Sequence, residues 1–188
     1  MPIQQIILAS ASPRRKDLLK QMGVSPICMP VDIDESRELN EKPSVYCQRL
    51  ALEKAQMGWN RSNLQLPVIG SDTIVVINKE ILGKPKTQQD AFEMLMKLSN
   101  QVHQVHTAVA MVFNIKVKVV ESISDVFFDR LDKDDVLTYV ESNEPMDKAG
   151  SYGIQGYASR WIKHISGSYS GIMGLPIYET SKLLREFE

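Results

Sequence analysis

The first stretch suited to chemistry lies near the start of the chain, where an apolar run gives way to hydroxyls and positive charges. The sequence "LASASPRRKDLL" places Ser10 and Ser12 just before three consecutive cations, Arg14, Arg15 and Lys16. Hydroxyls and guanidinium groups at the N-terminus of a helix are typical of a phosphate site, because the unpaired N–H groups there attract anions. The alternative is that the serines only cap the helix and one arginine is solvated, and the spacing leaves both interpretations open. The standard nucleotide fingerprints, a Walker glycine loop and G-x-G-x-x-G, are absent from the sequence.

A single acidic residue interrupts one of the most apolar parts of the chain. In "VIGSDTIVV", Asp72 has apolar residues on both sides, among them Ile69 and Ile74. A carboxylate in such a strand is costly unless it is paired, hydrogen-bonded or bound to a metal ion. The competing interpretation is an exposed aspartate in a turn at the strand end, but the apolar flanks favour a functional carboxylate.

Two isolated lysines are weaker candidates. Lys54 lies on the second predicted helix, where a lysine ordinarily faces solvent. Lys84 is a better candidate for an anion contact, because Gly83 and Pro85 hold it directly after a predicted strand.

The acidic loop "DIDESRELNEKPS" offers further carboxylates, Asp32, Asp34 and Glu35. Loops of this composition ordinarily serve solubility. One of these carboxylates could instead share a divalent cation with Asp72, because such ions prefer oxygen ligands.

The late segment "DKAGSYGIQG" combines three glycines with an amide side chain. Glycines allow a backbone to approach a ligand closely, and Gln155 can both donate and accept hydrogen bonds, as a nucleobase edge requires. A plain surface turn is the alternative.

The two histidines of "HQVHT" do not predict a metal site. On a strand, His103 and His106 point to opposite faces, which is poor geometry for holding one ion. We interpret both as structural.

Composition argues against several functional classes. The 188 residues carry a formal net charge of −1, so the basic excess of a nucleic-acid-binding domain is missing. No apolar run approaches the roughly 20 residues of a membrane span, and the first residues do not resemble a signal peptide. Only Cys28 and Cys47 are present, too few for a disulfide framework. We therefore expect a cytoplasmic protein with no nucleic-acid or membrane partner.

Periodicity and turn residues predict strands that alternate with helices. Helices are expected over 13–22, 44–59, 87–98, 131–140 and 176–187, with the second ending near Gly58. Strands are expected over 3–9, 26–31, 102–113, 115–128 and 160–166. The stretch 66–82 predicts a strand, then a polar interruption, then a second strand that ends in a turn at Asn78-Lys79.

This alternation, together with two predicted hairpins, predicts a three-layer α/β fold with a mixed sheet. Ligands of such folds bind at strand ends and in the loops beside them. The sequence contains no internal repeat and no low-complexity linker, so we expect residues 1–188 to form a single domain.

Taken together, these segments resemble the Maf family of nucleoside triphosphate pyrophosphatases. "LASASPRRKDLL" matches the N-terminal signature of that family and "GSDTIVV" its central acidic motif, while "LGKP" and "DKAGSYGIQG" match two later motifs. The resemblance implies a fold similar to the inosine triphosphate pyrophosphatases, with a mixed sheet and two lobes around a cleft. It also implies homodimers, a nucleoside triphosphate substrate and dependence on a divalent cation, Mg²⁺ or Mn²⁺.

Within the family, the sequence is similar to the subgroup that hydrolyses dTTP and UTP. That subgroup carries arginine after Ser-Pro, threonine after the acidic residue and glutamine in the late glycine loop; here these are Arg14, Thr73 and Gln155. The resemblance further implies that Asp72 is the proton acceptor and that Glu35 is a metal ligand. It also implies that Lys54 and Lys84 are phosphate contacts.

The expected reaction is hydrolysis of dTTP and UTP, or of modified pyrimidine nucleotides, to the monophosphate and pyrophosphate, in nucleotide house-cleaning or cell-division arrest. The alternative is a non-catalytic nucleotide-binding regulator of septum formation. A phosphomonoesterase is a third candidate, which would release orthophosphate instead. A semi-buried carboxylate beside phosphate ligands favours the enzyme, because a pure binder has no need of a base.

Overall fold

The computed structural model describes residues 3–63 and 65–188, and strands and helices alternate along most of this length. The strands are β1 (Gln5–Leu8), β2 (Ser25–Cys28), β3 (Val68–Ile77), β4 (Glu80–Leu82), β5 (Val102–Phe113), β6 (Lys116–Phe128) and β7 (Ile162–Ser166). The helices are α1 (Pro13–Gln21), α2 (Pro43–Arg61), α3 (Gln88–Leu98), α4 (Lys133–Glu141), α5 (Tyr169–Met173) and α6 (Ile177–Glu186). Within the described ranges, no helix is both long enough and apolar enough to cross a lipid bilayer.

The strands of the described chain form one seven-stranded sheet in the order β2-β1-β3-β5-β6-β7, with β4 paired to β3. β1 runs parallel to β2 and to β3, whereas β4 is antiparallel to β3 and β7 is antiparallel to β6. Parallel neighbours need crossover connections, and α1 supplies the one between β1 and β2. The prediction of an α/β fold with a mixed sheet is confirmed.

The chain folds into two compact units. The first comprises Met1–Asp72, Thr107–Ser122 and Gly174–Glu188, and the second comprises Thr73–His106 and Ile123–Met173. Strands β3, β5 and β6 contribute residues to both units, because the boundaries fall within them. A single domain over residues 1–188 stays a prediction.

Local sequence signals set the ends of α1 in the first unit. Ser12 caps the helix by accepting a hydrogen bond from the Arg15 N–H at 3.5 Å, and Pro13 takes the first helical position. Gly23 follows the end of the helix with a φ of 78°, a conformation that favours glycine. The predicted start of this helix at Pro13 is confirmed, and it ends at Gln21, one residue before the predicted end.

In the first unit, α2 packs directly on the backbone of β3. A Cβ added at Gly70 would lie 2.3 Å from the Ala51 carbonyl oxygen and 2.4 Å from the Ala55 nitrogen, so only glycine fits there. Gly58 approaches the same strand, since a Cβ there would lie 2.9 Å from Val68 Cγ1. These small residues bring the two backbones together and so fix the side chains that flank the contact.

The second unit has a core of aliphatic and aromatic side chains from both of its segments. Tyr139 of α4 and Trp161 meet edge to face, with ring centroids 5.3 Å apart. Leu95 and Leu98 of α3 and Val126 of β6 are fully buried in the same cluster. Burial of such a side chain contributes about 1.5–3 kcal/mol to the free energy of unfolding.

Two sequence predictions about element bounds are wrong. The polar interruption expected in the middle of β3 is absent from the described strand, because Gly70 packs on α2 and Ser71 Oγ donates a hydrogen bond to the Gly174 carbonyl at 3.0 Å. Helix α2 does not end near Gly58 but continues to Arg61, because that glycine is a packing residue rather than a stop.

Candidate active site

The carboxylate expected within an apolar strand is buried and paired. Asp72 lies on β3 and Lys54 on α2, and Lys54 Nζ donates a hydrogen bond to Asp72 Oδ1 at 2.7 Å. Their side chains are 10% and 11% exposed, so both charges have largely left water. The close contact between α2 and β3 at Gly70 explains why a helical lysine reaches the strand instead of facing solvent.

A second carboxylate converges on the same ammonium group. Glu35, in the loop before α2, places its Oε1 2.6 Å from Lys54 Nζ, and its side chain is 51% exposed. Lys54 therefore bridges a buried carboxylate and a half-exposed one. We call Glu35, Lys54 and Asp72 the Lys54 cluster.

Burial and neighbouring charges act on the pKa of Asp72 in opposite directions. Burial is the larger effect and raises the pKa of this carboxyl, while the positive charges of Lys54 and Arg15 oppose the rise. Asp72 is consequently a stronger proton acceptor than an exposed aspartate, and Lys54 favours its ionised form.

Two residues of α2 donate hydrogen bonds to the backbone of the Lys54 cluster, and their own side chains stay uncharged. Cys47 Sγ donates to the Asp72 carbonyl oxygen at 3.5 Å, and burial raises the pKa of this thiol. The Tyr46 hydroxyl donates to the Glu35 carbonyl oxygen at 2.7 Å. Burial, followed by the charge of Asp72, raises the pKa of Tyr46. Both side chains are therefore neutral supports rather than nucleophiles.

Ion pairs fix the loop that carries Glu35. Arg49 on α2 holds the Glu41 carboxylate with two hydrogen bonds, Nε to Oε1 at 2.7 Å and Nη2 to Oε2 at 2.9 Å. The same guanidinium group donates to the Ser36 carbonyl oxygen at 3.0 Å. Its hydrogen bond lowers the pKa of Glu41, so this pair is charged at neutral pH. The sequence does not predict this ion pair, which we call the Glu41–Arg49 brace. Glu41 precedes the helix, and the spacing from Glu41 to Arg49 is not that of a helical ion pair.

At the N-terminus of α1, protein groups occupy part of the predicted phosphate site. Arg15 Nε donates to the Gly174 carbonyl oxygen at 2.9 Å, and Arg15 Nη1 donates to Ser10 Oγ at 3.2 Å. Burial lowers the pKa of Arg15, and the charge of Asp72 opposes that shift. Of the two interpretations left open by the sequence, the capping role of Ser12 is observed, whereas Arg15 is bound to protein groups rather than solvated.

The first unit contains seven of the predicted site residues: Ser10, Ser12, Arg14, Arg15, Glu35, Lys54 and Asp72. Direct contacts join Ser10, Ser12 and Arg15 into one group and the Lys54 cluster into another. Arg14 is half-buried in the first turn of α1.

The second unit contains the remaining predicted residues, Thr73, Lys84 and Gln155. Lys84 and Gln155 are exposed, and Thr73 is half-buried on β3. A backbone hydrogen bond joins two of the predicted motifs, because the Gly150 N–H donates to the Gly83 carbonyl oxygen at 3.0 Å. Loop 147–156 is thereby tied to the segment that carries Lys84.

Glycines of loop 147–156 pack closely against other protein groups. Gly150 has a φ of 66°, and a Cβ there would lie 2.8 Å from Val75 Cγ2. A Cβ at Gly156 would lie 1.8 Å from Glu144 Oε1, so the loop passes directly over that carboxylate. The close approach expected of these glycines is therefore observed toward protein groups, and their approach to a ligand stays a prediction.

The chain matches the family described as Maf-like protein over residues 5–187, nearly its whole length. It belongs to the Maf-like family. The resemblance inferred from its motifs is confirmed.

Several relatives of this Maf-like chain are named dTTP/UTP pyrophosphatase. The one from Pseudoalteromonas translucida is 49% identical over 182 residues, covering 97% of this chain and 96% of the relative. The one from Escherichia coli (strain K12) is 45% identical over 182 residues, covering 97% and 92%.

Among solved structures, the Staphylococcus aureus Ham1 protein is similar to this Maf-like chain. The TM-score is 0.53 at 15% sequence identity, and the alignment covers 98% of this chain and 100% of that one. At this identity the likeness concerns the fold alone.

Membership of the Maf-like family, with relatives named pyrophosphatases, suggests a divalent metal ion in general. Across residues 3–63 and 65–188, no group of three or more His, Cys, Asp or Glu side chains converges as a ready metal site. Glu35 and Asp72 nevertheless share one cation, the Lys54 ammonium group, at 2.6 and 2.7 Å. Mg²⁺ is commonly held by one or two carboxylates plus substrate phosphates, so this donor pair fits such an ion.

Proposed function

We propose that this chain is a pyrophosphatase that hydrolyses dTTP and UTP to the monophosphate and pyrophosphate. The observation that carries the proposal is the Lys54 cluster, a buried carboxylate paired with a lysine and facing a second carboxylate, in a chain whose relatives carry that name. The competing regulator would need only to bind its nucleotide, and such a role gives no reason to bury an ionised base.

Asp72 is the general base of this reaction. It accepts a proton from a water molecule whose oxygen attacks the α-phosphorus of the triphosphate. The bond from that phosphorus to the oxygen shared with the β-phosphate breaks, and pyrophosphate leaves with the electron pair. A positioned base contributes about 10²–10⁴-fold to the rate. The raised pKa of Asp72 suits this role, because an exposed aspartate with a pKa of about 3.9 is a weak base.

Glu35 and Asp72 are the residues that would hold the divalent ion, Mg²⁺ or Mn²⁺. When bound, such an ion neutralises phosphate charge and makes water more acidic. Lys54 Nζ, which now contacts both carboxylates, would be the ammonium group beside them that binds a phosphate oxygen.

The remaining predicted residues bind and select the nucleotide. Guanidinium and ammonium groups suit the triphosphate, because a charge of three or more must be neutralised before a nucleophile approaches. Amide and hydroxyl groups suit a pyrimidine, because they can donate and accept hydrogen bonds. The phosphate ligands are Ser10, Ser12, Arg14, Arg15, Lys54 and Lys84, and the specificity residues are Arg14, Thr73 and Gln155. The homodimer implied by the resemblance and the cytoplasmic location expected from composition both stay predictions.

Identification of both products tests the proposal. Purified protein with Mg²⁺ or Mn²⁺ is incubated with a panel of pyrimidine and purine triphosphates, and the products are separated by ion exchange. We expect dTMP or UMP and an equal amount of pyrophosphate. Orthophosphate as the product would identify a phosphatase, and nucleotide binding without turnover would identify the regulator.

A further inference from the structure

A buried histidine that the proposed reaction does not use lies in the second unit. His103, on β5, is 1% exposed, and its Nε2 lies 2.7 Å from the hydroxyl oxygen of Tyr152. The imidazole ring also packs edge to face against Phe128 and Tyr152, with centroids 5.0 and 5.4 Å away. The hydrogen bond connects the sheet to a residue of the glycine loop.

This hydrogen bond is the polar contact that fixes the imidazole. Burial lowers the pKa of His103 to about 4, so at neutral pH the ring is uncharged and has one nitrogen that can donate and one that can accept. Within the part of the chain that the structure describes, His103 Nδ1 is buried with no hydrogen-bond partner. Loss of the Nε2 contact would leave the second ring nitrogen and the Tyr152 hydroxyl buried without a partner as well. This cost favours the single arrangement in which the two groups meet.

Tyr152 is the residue of loop 147–156 whose buried side chain is hydrogen-bonded to the sheet. Its side chain is buried, as is that of Ile154, whereas the next residue, Gln155, is exposed. The loop is held at Gly150 by the backbone hydrogen bond described above, and Tyr152 fixes it between that point and Gln155. The position of Tyr152 therefore sets where the backbone returns to the surface.

We propose that His103 and Tyr152 are positioning residues, whose hydrogen bond holds loop 147–156 so that Gln155 is presented to the nucleobase in one orientation. This inference rests on the proposed function, because Gln155 is assigned to base recognition there. It extends that function to two buried residues that need not touch the substrate.

The variant Tyr152→Phe keeps the aromatic packing and removes only the hydroxyl. We expect KM for dTTP and UTP to rise about three- to tenfold, with kcat changed by less than about twofold. Ser99→Ala is the matched control, because it removes another hydrogen bond of the second unit, from the Leu131 N–H to Ser99 Oγ at 2.9 Å. That bond does not involve the loop, so the control should keep the wild-type KM.

The double variant His103→Phe/Tyr152→Phe separates positioning from a merely structural role. With both partners apolar, the unpaired hydroxyl and ring nitrogen are gone, so stability should return toward that of the wild type. We expect the raised KM to persist, because packing between two phenyl rings lacks the directional hydrogen bond that holds the loop in one position. A KM that returns together with stability would overturn the proposal.

Amide hydrogen exchange at residues 150–156 gives a readout that does not depend on activity. Exchange there should be faster in Tyr152→Phe and unchanged in Ser99→Ala. Unchanged exchange in Tyr152→Phe, or faster exchange with an unchanged KM, would overturn the proposal. If the wild-type protein releases no pyrophosphate from any triphosphate, the proposed function fails instead, and the exchange comparison still decides whether the hydrogen bond holds the loop.

Discussion

Lys54 Nζ lies 2.7 Å from Asp72 Oδ1, so a buried ammonium group of α2 and a buried carboxylate of β3 neutralise each other across a helix–strand contact. Either charge alone would be destabilising at this depth, because the desolvation of an unpaired ion is costly. The pairing satisfies both charges within the first unit.

Asp72→Asn should fold and lose most of its turnover. Asparagine can still accept a hydrogen bond from Lys54, but it cannot take a proton from water, so we expect kcat to fall about 10²–10⁴-fold. Pyrophosphate release measures the loss, and a thermal unfolding curve checks the fold. Asp17→Asn, at an exposed position of α1, should keep the wild-type rate. A wild-type rate in Asp72→Asn would remove this residue from the role of base.

Lys54→Gln should bind a divalent cation more tightly in the absence of nucleotide. The substitution removes the positive charge that Glu35 and Asp72 share, and we expect the Kd for Mn²⁺ to fall by at least about tenfold. Isothermal titration calorimetry measures this affinity without any turnover. Lys42→Gln, at an exposed lysine just before α2, is the control and should leave the affinity unchanged. Equal affinities in all three proteins would mean that these two carboxylates do not hold the metal ion.

Gly70→Ala should destabilise the fold. Its Cβ would lie 2.3 Å from the Ala51 carbonyl oxygen, and neither backbone can move away without separating α2 from β3. We expect the free energy of unfolding to fall by about 3 kcal/mol, measured by urea denaturation. A Cβ added at Gly83 has no heavy atom within 4 Å, so Gly83→Ala serves as the control with little change. Equal stability of the two variants would contradict the packing argument.

The features that the sequence predicts well are those determined by neighbouring residues. Ser12 caps α1, and the turn at Asn78 and Lys79 has φ values of 50° and 68°, a left-handed pair that suits a tight hairpin. The reversal near Asn114 likewise contains a left-handed asparagine, with a φ of 54°. In each case the deciding interactions lie within a few residues, so the local sequence contains the information.

The contacts that build the candidate site were not predictable in this way. Lys54 has the pattern of a solvent-facing helical lysine, and it is buried only because Gly70 lets α2 approach β3. The brace between Glu41 and Arg49 and the bond from His103 to Tyr152 join residues whose spacing carries no signal. The motifs indicated which segments carry candidate residues, but which of their side chains meet depends on tertiary packing.

Stability should fall in mild acid because His103 is buried. Burial lowers the pKa of His103 to about 4, whereas an unfolded histidine titrates near about 6.5. The unfolded state therefore takes up the proton first, so the contribution of His103 is complete above pH of about 6.5 and is lost as the pH falls toward 4. From about pH 7 to about pH 5, the free energy of unfolding should fall by about 2 kcal/mol more in the wild type than in His103→Phe. Urea unfolding at both pH values measures this difference, and equal losses in the two proteins would contradict it.

Gln155→Ala should weaken base selection without weakening the chemical step. The amide supplies hydrogen bonds that a pyrimidine can satisfy and a purine cannot satisfy in the same place, so the preference for dTTP over dATP should fall up to about tenfold. The ratio of kcat/KM for the two nucleotides measures it, with Gln101→Ala, another exposed glutamine of the second unit, as the control. A preserved preference would remove Gln155 from base recognition. A lower kcat for both nucleotides would instead assign Gln155 to the chemical step, which we attribute to Asp72.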